Sequence, residues 1–164
     1  MKKRAAICFF LLAAALGLNA QTATKDSVCV IPGLGDSITN YAQTFLGTPY
    51  KYGCASKSGF DCSGFTWFVF AHYGIPVPRG SKEYQTFGKT VPIEEARKGD
   101  IIVFRGTHPN DKRAGHVGIV ISSPGEPLRF IHSSSSKKHS GVVITEYFSS
   151  AYPKRFIRIC RILP

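Results

Sequence analysis

Asp61-Cys62-Ser63-Gly64-Phe65-Thr66-Trp67-Phe68-Val69-Phe70-Ala71-His72-Tyr73 is the stretch on which the fold turns. It is apolar on nearly every side until Gly74 stops it, as expected of a buried helix over roughly 62–73. Asp61 can cap that helix by accepting a backbone N–H, which puts Cys62 in the first turn. The unpaired N–H groups and the dipole there favour negative charge, so the thiol pKa is expected to fall. From Asp100 onward the pattern changes to short β-branched or aromatic runs, Ile101–Phe104, His116–Ile121, Leu128–His132, Gly141–Glu146 and Arg155–Ile162, separated by Gly, Pro, Ser and Asn clusters. Helices first and strands afterwards imply a single α+β domain: a central N-terminal helix packed on an antiparallel sheet of about five strands.

Outward from that frame, Ile38, Tyr41, Ala42 and Phe45 stand at helical spacing, predicting an earlier helix over 38–46 capped by Asp36 or Ser37 and ended by Gly47. Ser81 to Phe87 can form a short helix. Two histidines lie on strands that follow the cysteine. His116 opens one apolar run and His132 ends another. A thiol at a helix start needs a base, and a base needs an orienting group, so this trio points to nucleophilic catalysis of the papain type. Taken singly, a cysteine in an apolar helix is usually a small core residue, and a histidine at a strand edge is usually structural. A zinc site of Cys54, Cys62, His116 and His132 would lack the close C-x-x-C pairs that announce one, so no metal and no cofactor is expected.

Six motifs follow in order: Gly47-Thr48-Pro49-Tyr50-Lys51-Tyr52-Gly53, Asp61-Cys62-Ser63-Gly64-Phe65, Pro78-Arg79-Gly80-Ser81, Lys98-Gly99-Asp100-Ile101-Ile102-Val103-Phe104, Gly115-His116-Val117-Gly118-Ile119 and Phe130-Ile131-His132-Ser133-Ser134. From about Ile38 to Leu163 the chain resembles the NlpC family of bacterial cell-wall cysteine peptidases. The resemblance implies a papain-like fold and a thiol protease in which Cys62 is the nucleophile and His116 the base. His132 orients the base, and the Tyr50 hydroxyl joins the Cys62 N–H as an oxyanion donor. It also implies a groove lined by Asp61, Ser63, Arg79 and Ser81 for peptidoglycan stem peptides. The bond cut would be γ-D-glutamyl–diamino acid or the D,D cross-link. A noncatalytic wall-binding module and another envelope acyl-transfer enzyme are the alternatives. Two positions depart from the family: Gly80 stands where Ser or Thr is common, and Cys54 where a second glycine is usual.

The chain opens Met1-Lys2-Lys3-Arg4, then an apolar run from Ala5 to Leu18, then Asn19-Ala20. This reads as a signal peptide over 1–20, too short to span a bilayer comfortably, and hence as an exported periplasmic or extracellular protein without stable membrane insertion. Residues 21–36 read as a lead-in and 37–164 as the peptidase domain, expected to be monomeric. The formal charge of +11, of which Lys2, Lys3 and Arg4 of the leader supply three, leaves the exported part basic, which suits an anionic polymer of the envelope. Its basic residues are scattered over no legible nucleic-acid module, so nucleic acid is excluded as a partner. Cys29 and Cys160 lie near the two ends of the exported part, where they could form one disulfide or both remain thiols.

Overall fold

Residues 33–108 and 110–164 are described by a computed structural model. The expected signal peptide, Cys29 and most of the lead-in lie outside them, and with Cys29 lies the test of its pairing with Cys160. Helix α1 spans Leu34–Gln43, starting four residues before the position read from the sequence. The sequence offered Asp36 and Ser37 as caps, but Gly33 occupies that position at φ 82°, and the Ser37 N–H reaches back to the Gly33 carbonyl at 2.8 Å. Only glycine adopts that backbone at no cost. Asp36 falls instead in the first turn, where its charge complements the helix dipole. Ile38 and Ala42 bury, and Tyr41 stacks on His72 with ring centroids 4.0 Å apart.

A two-stranded hairpin, β1 Ala55–Ser56 and β2 Gly59–Phe60, leads into helix α2, Cys62–Ala71. The expected cap is present: Asp61 is extended at φ −83°, ψ 175°, and its Oδ1 accepts the Gly64 N–H at 2.6 Å. Gly74, at φ 68°, turns the chain out of the helix end. The expected short helix is a 3-10 turn over Ser81–Gln85.

Strands β3 Lys89–Val91, β4 Ile101–Arg105, β5 Ala114–Val120, β6 Arg129–Ser135, β7 Ser140–Glu146 and β8 Phe156–Arg161 form one antiparallel sheet in the order β3-β8-β4-β5-β6-β7. The sheet has six strands where five were read. The additional one, β3, is three residues long with a single buried side chain, so it carries no periodic signal. β4 is buried on both faces, which explains its unbroken apolar run. Ile101, Val103, Val117, Ile119 and Ile131 pack on the helical side with Phe65, Val69 and Phe70. Ile102, Phe104, Val120, Phe130 and Ile159 face the other way, under Tyr147 and Tyr152. At about 25 cal/mol per Å² of apolar surface removed from water, these two layers supply the main driving force for folding.

The motif at 98–100 proves to be a brace. Asp100, 1% exposed, accepts two hydrogen bonds from the Arg161 guanidinium, at 2.9 and 2.8 Å, and one from the Arg97 N–H at 2.9 Å. Among the described residues no helix is long and apolar enough to cross a membrane.

Candidate active site

Cys62 stands at the first position of α2, buried to 8% exposure, and its thiol points toward the Gly115 carbonyl at 4.0 Å. The start of α2 thus lies against β5 one residue before His116. Among the described residues no hydrogen bond joins Cys62 Sγ to the His116 ring. The second contact expected of that ring is present. His116 Nε2 lies 2.9 Å from His132 Nδ1, with the two rings perpendicular. His132 Nε2 in turn lies 3.0 Å from Thr145 Oγ1 on β7. A chain Thr145–His132–His116 therefore runs across three adjacent strands and leaves His116 Nδ1 as the uncommitted ring nitrogen. His139, the neighbouring histidine in sequence, is exposed and lines a hollow behind His132.

Gly118 explains how the second histidine fits. A Cβ at that position would lie 2.7 Å from the Phe130 ring and 3.1 Å from His132 Cβ. The space a side chain would need is taken by the Phe130 ring and by the Cβ from which the His132 ring projects.

Burial overrides the helix terminus in setting proton affinities. Desolvation pushes the Cys62 thiol above its usual value, and the Asp61 charge adds to it. The backbone amides of Val117, Ser63 and Cys62 oppose the rise without cancelling it. This reverses the lowered pKa expected from the sequence, because a fully exposed helix start differs from one sealed under a sheet. Desolvation also holds His116 well below the ordinary imidazole range, helped by His132 and the cation of Arg155. The same causes, burial and then Arg155, hold His132 down to about 3. These shifts favour the neutral thiol and the neutral imidazoles.

Tyr50 is half-buried and near enough to Cys62 to feel its charge state. Its loop is tied down on two sides. The Gly47 N–H donates to Val142 O at 2.9 Å, and the Val142 N–H donates to Thr48 O at 2.8 Å. The Phe60 N–H reaches Pro49 O at 3.1 Å, and the Ser133 hydroxyl donates to Phe60 O at 2.8 Å. Burial first, then the neighbouring Cys62 and Asp61, raise the Tyr50 phenol, which keeps it protonated and available as a donor.

Asp61, Ser63 and Arg79 form one cluster, while Ser81 opens its 3-10 turn outside it. Arg79 grips Asp61 with two hydrogen bonds, Nη1 to Oδ1 at 2.9 Å and Nη2 to Oδ2 at 2.8 Å, and Nη2 also donates to Gly53 O at 2.9 Å. Ser63 Oγ lies 3.3 Å from Asp61 Oδ1. Oδ1 is thus crowded and Oδ2 holds one donor. Cys54, the departure from the usual glycine, follows Gly53, which takes the left-handed turn at φ 72°. The Cys54 carbonyl accepts the Asp61 N–H at 2.9 Å.

Three residues of the site gave no signal in the sequence: Thr145, Tyr152 and Arg155. Tyr152 OH lies 3.4 Å from His116 Nε2, and its ring stacks on the His116 ring. Among the described residues no three His, Cys, Asp or Glu side chains are grouped to hold a metal ion.

The sequence model described as the NlpC/P60 family matches residues 47–161, an interval that includes Tyr50, Cys62, His116 and His132. The chain belongs to the NlpC/P60 family. Among curated relatives of this NlpC/P60 chain, murein DD-endopeptidase MepS/murein LD-carboxypeptidase of Escherichia coli K12 is 35% identical over 118 residues, 71% of this chain and 57% of the relative. The chain therefore spans little more than half of that protein's length. The probable endopeptidase NlpC of the same organism is 33% identical over 140 residues, 84% of this chain and 82% of the relative. A crystal structure of an NlpC/P60 family protein from Bacillus cereus superposes with a TM-score of 0.71 at 31% identity, covering 82% of this chain and 42% of that one.

Proposed function

We propose that this protein is an exported, monomeric cysteine peptidase that hydrolyses amide bonds in the stem peptides of peptidoglycan. The observation that carries this reading is Cys62 at a capped helix start, one residue from His116 across the packing of α2 on β5, with His116 bonded through His132 to Thr145. The relatives' names, endopeptidases of murein among them, support the substrate class. The basic leader at 1–20 and the positive charge support an envelope location.

In this scheme the neutral Cys62 thiol gives its proton to His116 Nδ1 as sulfur attacks the amide carbon. His116 Nε2–H donates to His132 Nδ1, and His132 Nε2–H donates to Thr145 Oγ1, which fixes both tautomers for that transfer. The tetrahedral oxyanion is held by the Cys62 N–H and the Tyr50 hydroxyl. His116 then returns the proton to the departing amine, leaving an acyl-cysteine that water hydrolyses. Asp61 Oδ2, with one donor already, has room for a substrate ammonium, while Arg79 and Ser63 hold the carboxylate in place.

The test is digestion of purified sacculi, with released muropeptides identified by mass spectrometry, using Cys62→Ala as the control. Release by the native chain and none by the variant supports the reading and names the bond. Co-sedimentation with sacculi without release identifies a wall-binding module instead.

A further inference from the structure

The proposed catalytic trio leaves one charged group in the cleft without a role. A cleft of about 530 Å³ opens beside His116, lined by Gly106, Thr107, Gly115, His116, Ser134–Ser136, Tyr152 and Arg155. No acidic side chain lines it. Arg155 is its one permanent charge, and among the described residues that guanidinium has no carboxylate partner: the ion pairs there are Arg79–Asp61, Lys98–Asp36, Arg113–Asp111 and Arg161–Asp100. The guanidinium is nonetheless held in place. Its Cζ sits 4.8 Å from the centroid of the Tyr152 ring, and Nη1 donates to Arg105 O at 3.2 Å. Tyr152 is in turn fixed against His116 by stacking and by its hydroxyl at 3.4 Å from Nε2. One aromatic ring therefore separates a positioned cation from the imidazole.

The geometry points to the Arg155 guanidinium, presented by Tyr152 beside His116, as the binding site for a carboxylate on the leaving fragment of the substrate. This rests on the peptidase reading above and sharpens its substrate class. His116 hands its proton to the departing amine, so the fragment bearing that amine lies against His116. The acyl part stays on Cys62, on the side of the Asp61–Ser63–Arg79 cluster. The leaving fragment of a stem-peptide bond is a diamino acid, whose side chain either ends in a carboxylate or lacks one. Arginine is suited to reading that difference, because its planar fork takes a carboxylate through two donors. The serines at Ser134–Ser136 and Thr107 supply further neutral donors around it. A bound carboxylate also offsets the cation that opposes protonation of His116, so the correct substrate favours its own proton transfer.

The experiment uses the intact exported protein and paired muropeptides whose diamino acid bears its side-chain carboxylate either free or amidated. The native enzyme is expected to prefer the free acid in kcat/KM by roughly tenfold or more, the size of one charge-assisted hydrogen bond. Arg155→Gln is expected to collapse that preference toward unity, and Arg155→Lys to retain part of it. Equal rates on the two muropeptides by the native enzyme overturn the inference while leaving the peptidase reading intact. An equal loss on both substrates in Arg155→Gln, with the preference preserved, also overturns it and marks Arg155 as structural. Failure of the native enzyme on either muropeptide and on sacculi removes the peptidase reading itself.

Discussion

Cys62 is held in an environment that discourages charge, and that sets how its reactivity depends on pH. Burial raises the thiol and depresses His116, so both shifts work against a thiolate–imidazolium pair in the absence of substrate. Site-resolved alkylation by iodoacetamide is therefore expected to accelerate for Cys62 only as pH rises past the ordinary thiol range. A plateau of labelling at acid pH would show a preformed ion pair and refute this. The two histidines are expected to differ under mutation. His116→Ala removes the proton carrier, whereas His132→Asn keeps a polar group beside Nε2 and loses only part of the rate, measured as kcat on the bond identified in sacculi. Equal losses in the two variants would put His132 in direct contact with the chemistry.

At the scale of elements, the strands do more than carry the histidines. Gly118→Ala in β5 places a methyl group against Phe130 and His132, at 2.7 and 3.1 Å before any relaxation. Overpacking of this kind costs about 1–3 kcal/mol, and a shift of order 1 Å in a positioned group can cost about a hundredfold in rate. The variant is thus expected to fold with a lowered melting temperature and to lose activity out of proportion to that loss. A fully active Gly118→Ala protein would show that β6 can yield. Asp100→Asn tests the brace between the turn before β4 and the end of β8. It leaves Arg161 facing an uncharged partner in a site where Asp100 is 1% exposed, and is expected to cost about 3 kcal/mol or more in urea denaturation. Much of this architecture was legible in the sequence, because α2 and the central strands are buried enough to write continuous apolar runs, and Asp61, Cys62, His116 and His132 sit at the ends of those runs. The rest was not. β3 is held by backbone pairing to β8, which leaves no side-chain pattern. Thr145 looks like any strand threonine, and Tyr152 and Arg155 come from a 3-10 turn between β7 and β8, so only the fold brings them to His116. The raised thiol pKa is illegible in the sequence for a related reason: a helix start is visible there, but not the sheet that buries it.

Over the whole molecule, two buried imidazoles make stability depend on pH. His132 is held down to about 3 from an ordinary value of 6.5, and His116 is depressed in the same direction. Between those two pH values the unfolded chain binds more protons than the folded one, so stability is fully present above 6.5 and declines as pH falls. The slope is at most about 1.4 kcal/mol per pH unit for each histidine. Urea midpoints measured from pH 7 down to pH 5 are expected to fall, and to fall less steeply in His132→Asn; a flat native profile would contradict the burial of both rings as neutral groups. One further property follows from how the sheet ends. Its outermost strands are β3, three residues long and followed by Pro92, and β7, whose Val142 exchanges hydrogen bonds with Gly47 and Thr48. The loop bearing Tyr50 thereby doubles as a cover for an edge that would otherwise recruit strands from other chains. Gly141, at φ 106° with Thr48 O 2.6 Å from where a Cβ would stand, lets that cover close. Loosening the loop to admit a bulkier substrate would therefore bare a template for aggregation, so the breadth of the cleft on this side is tied to the solubility of the protein.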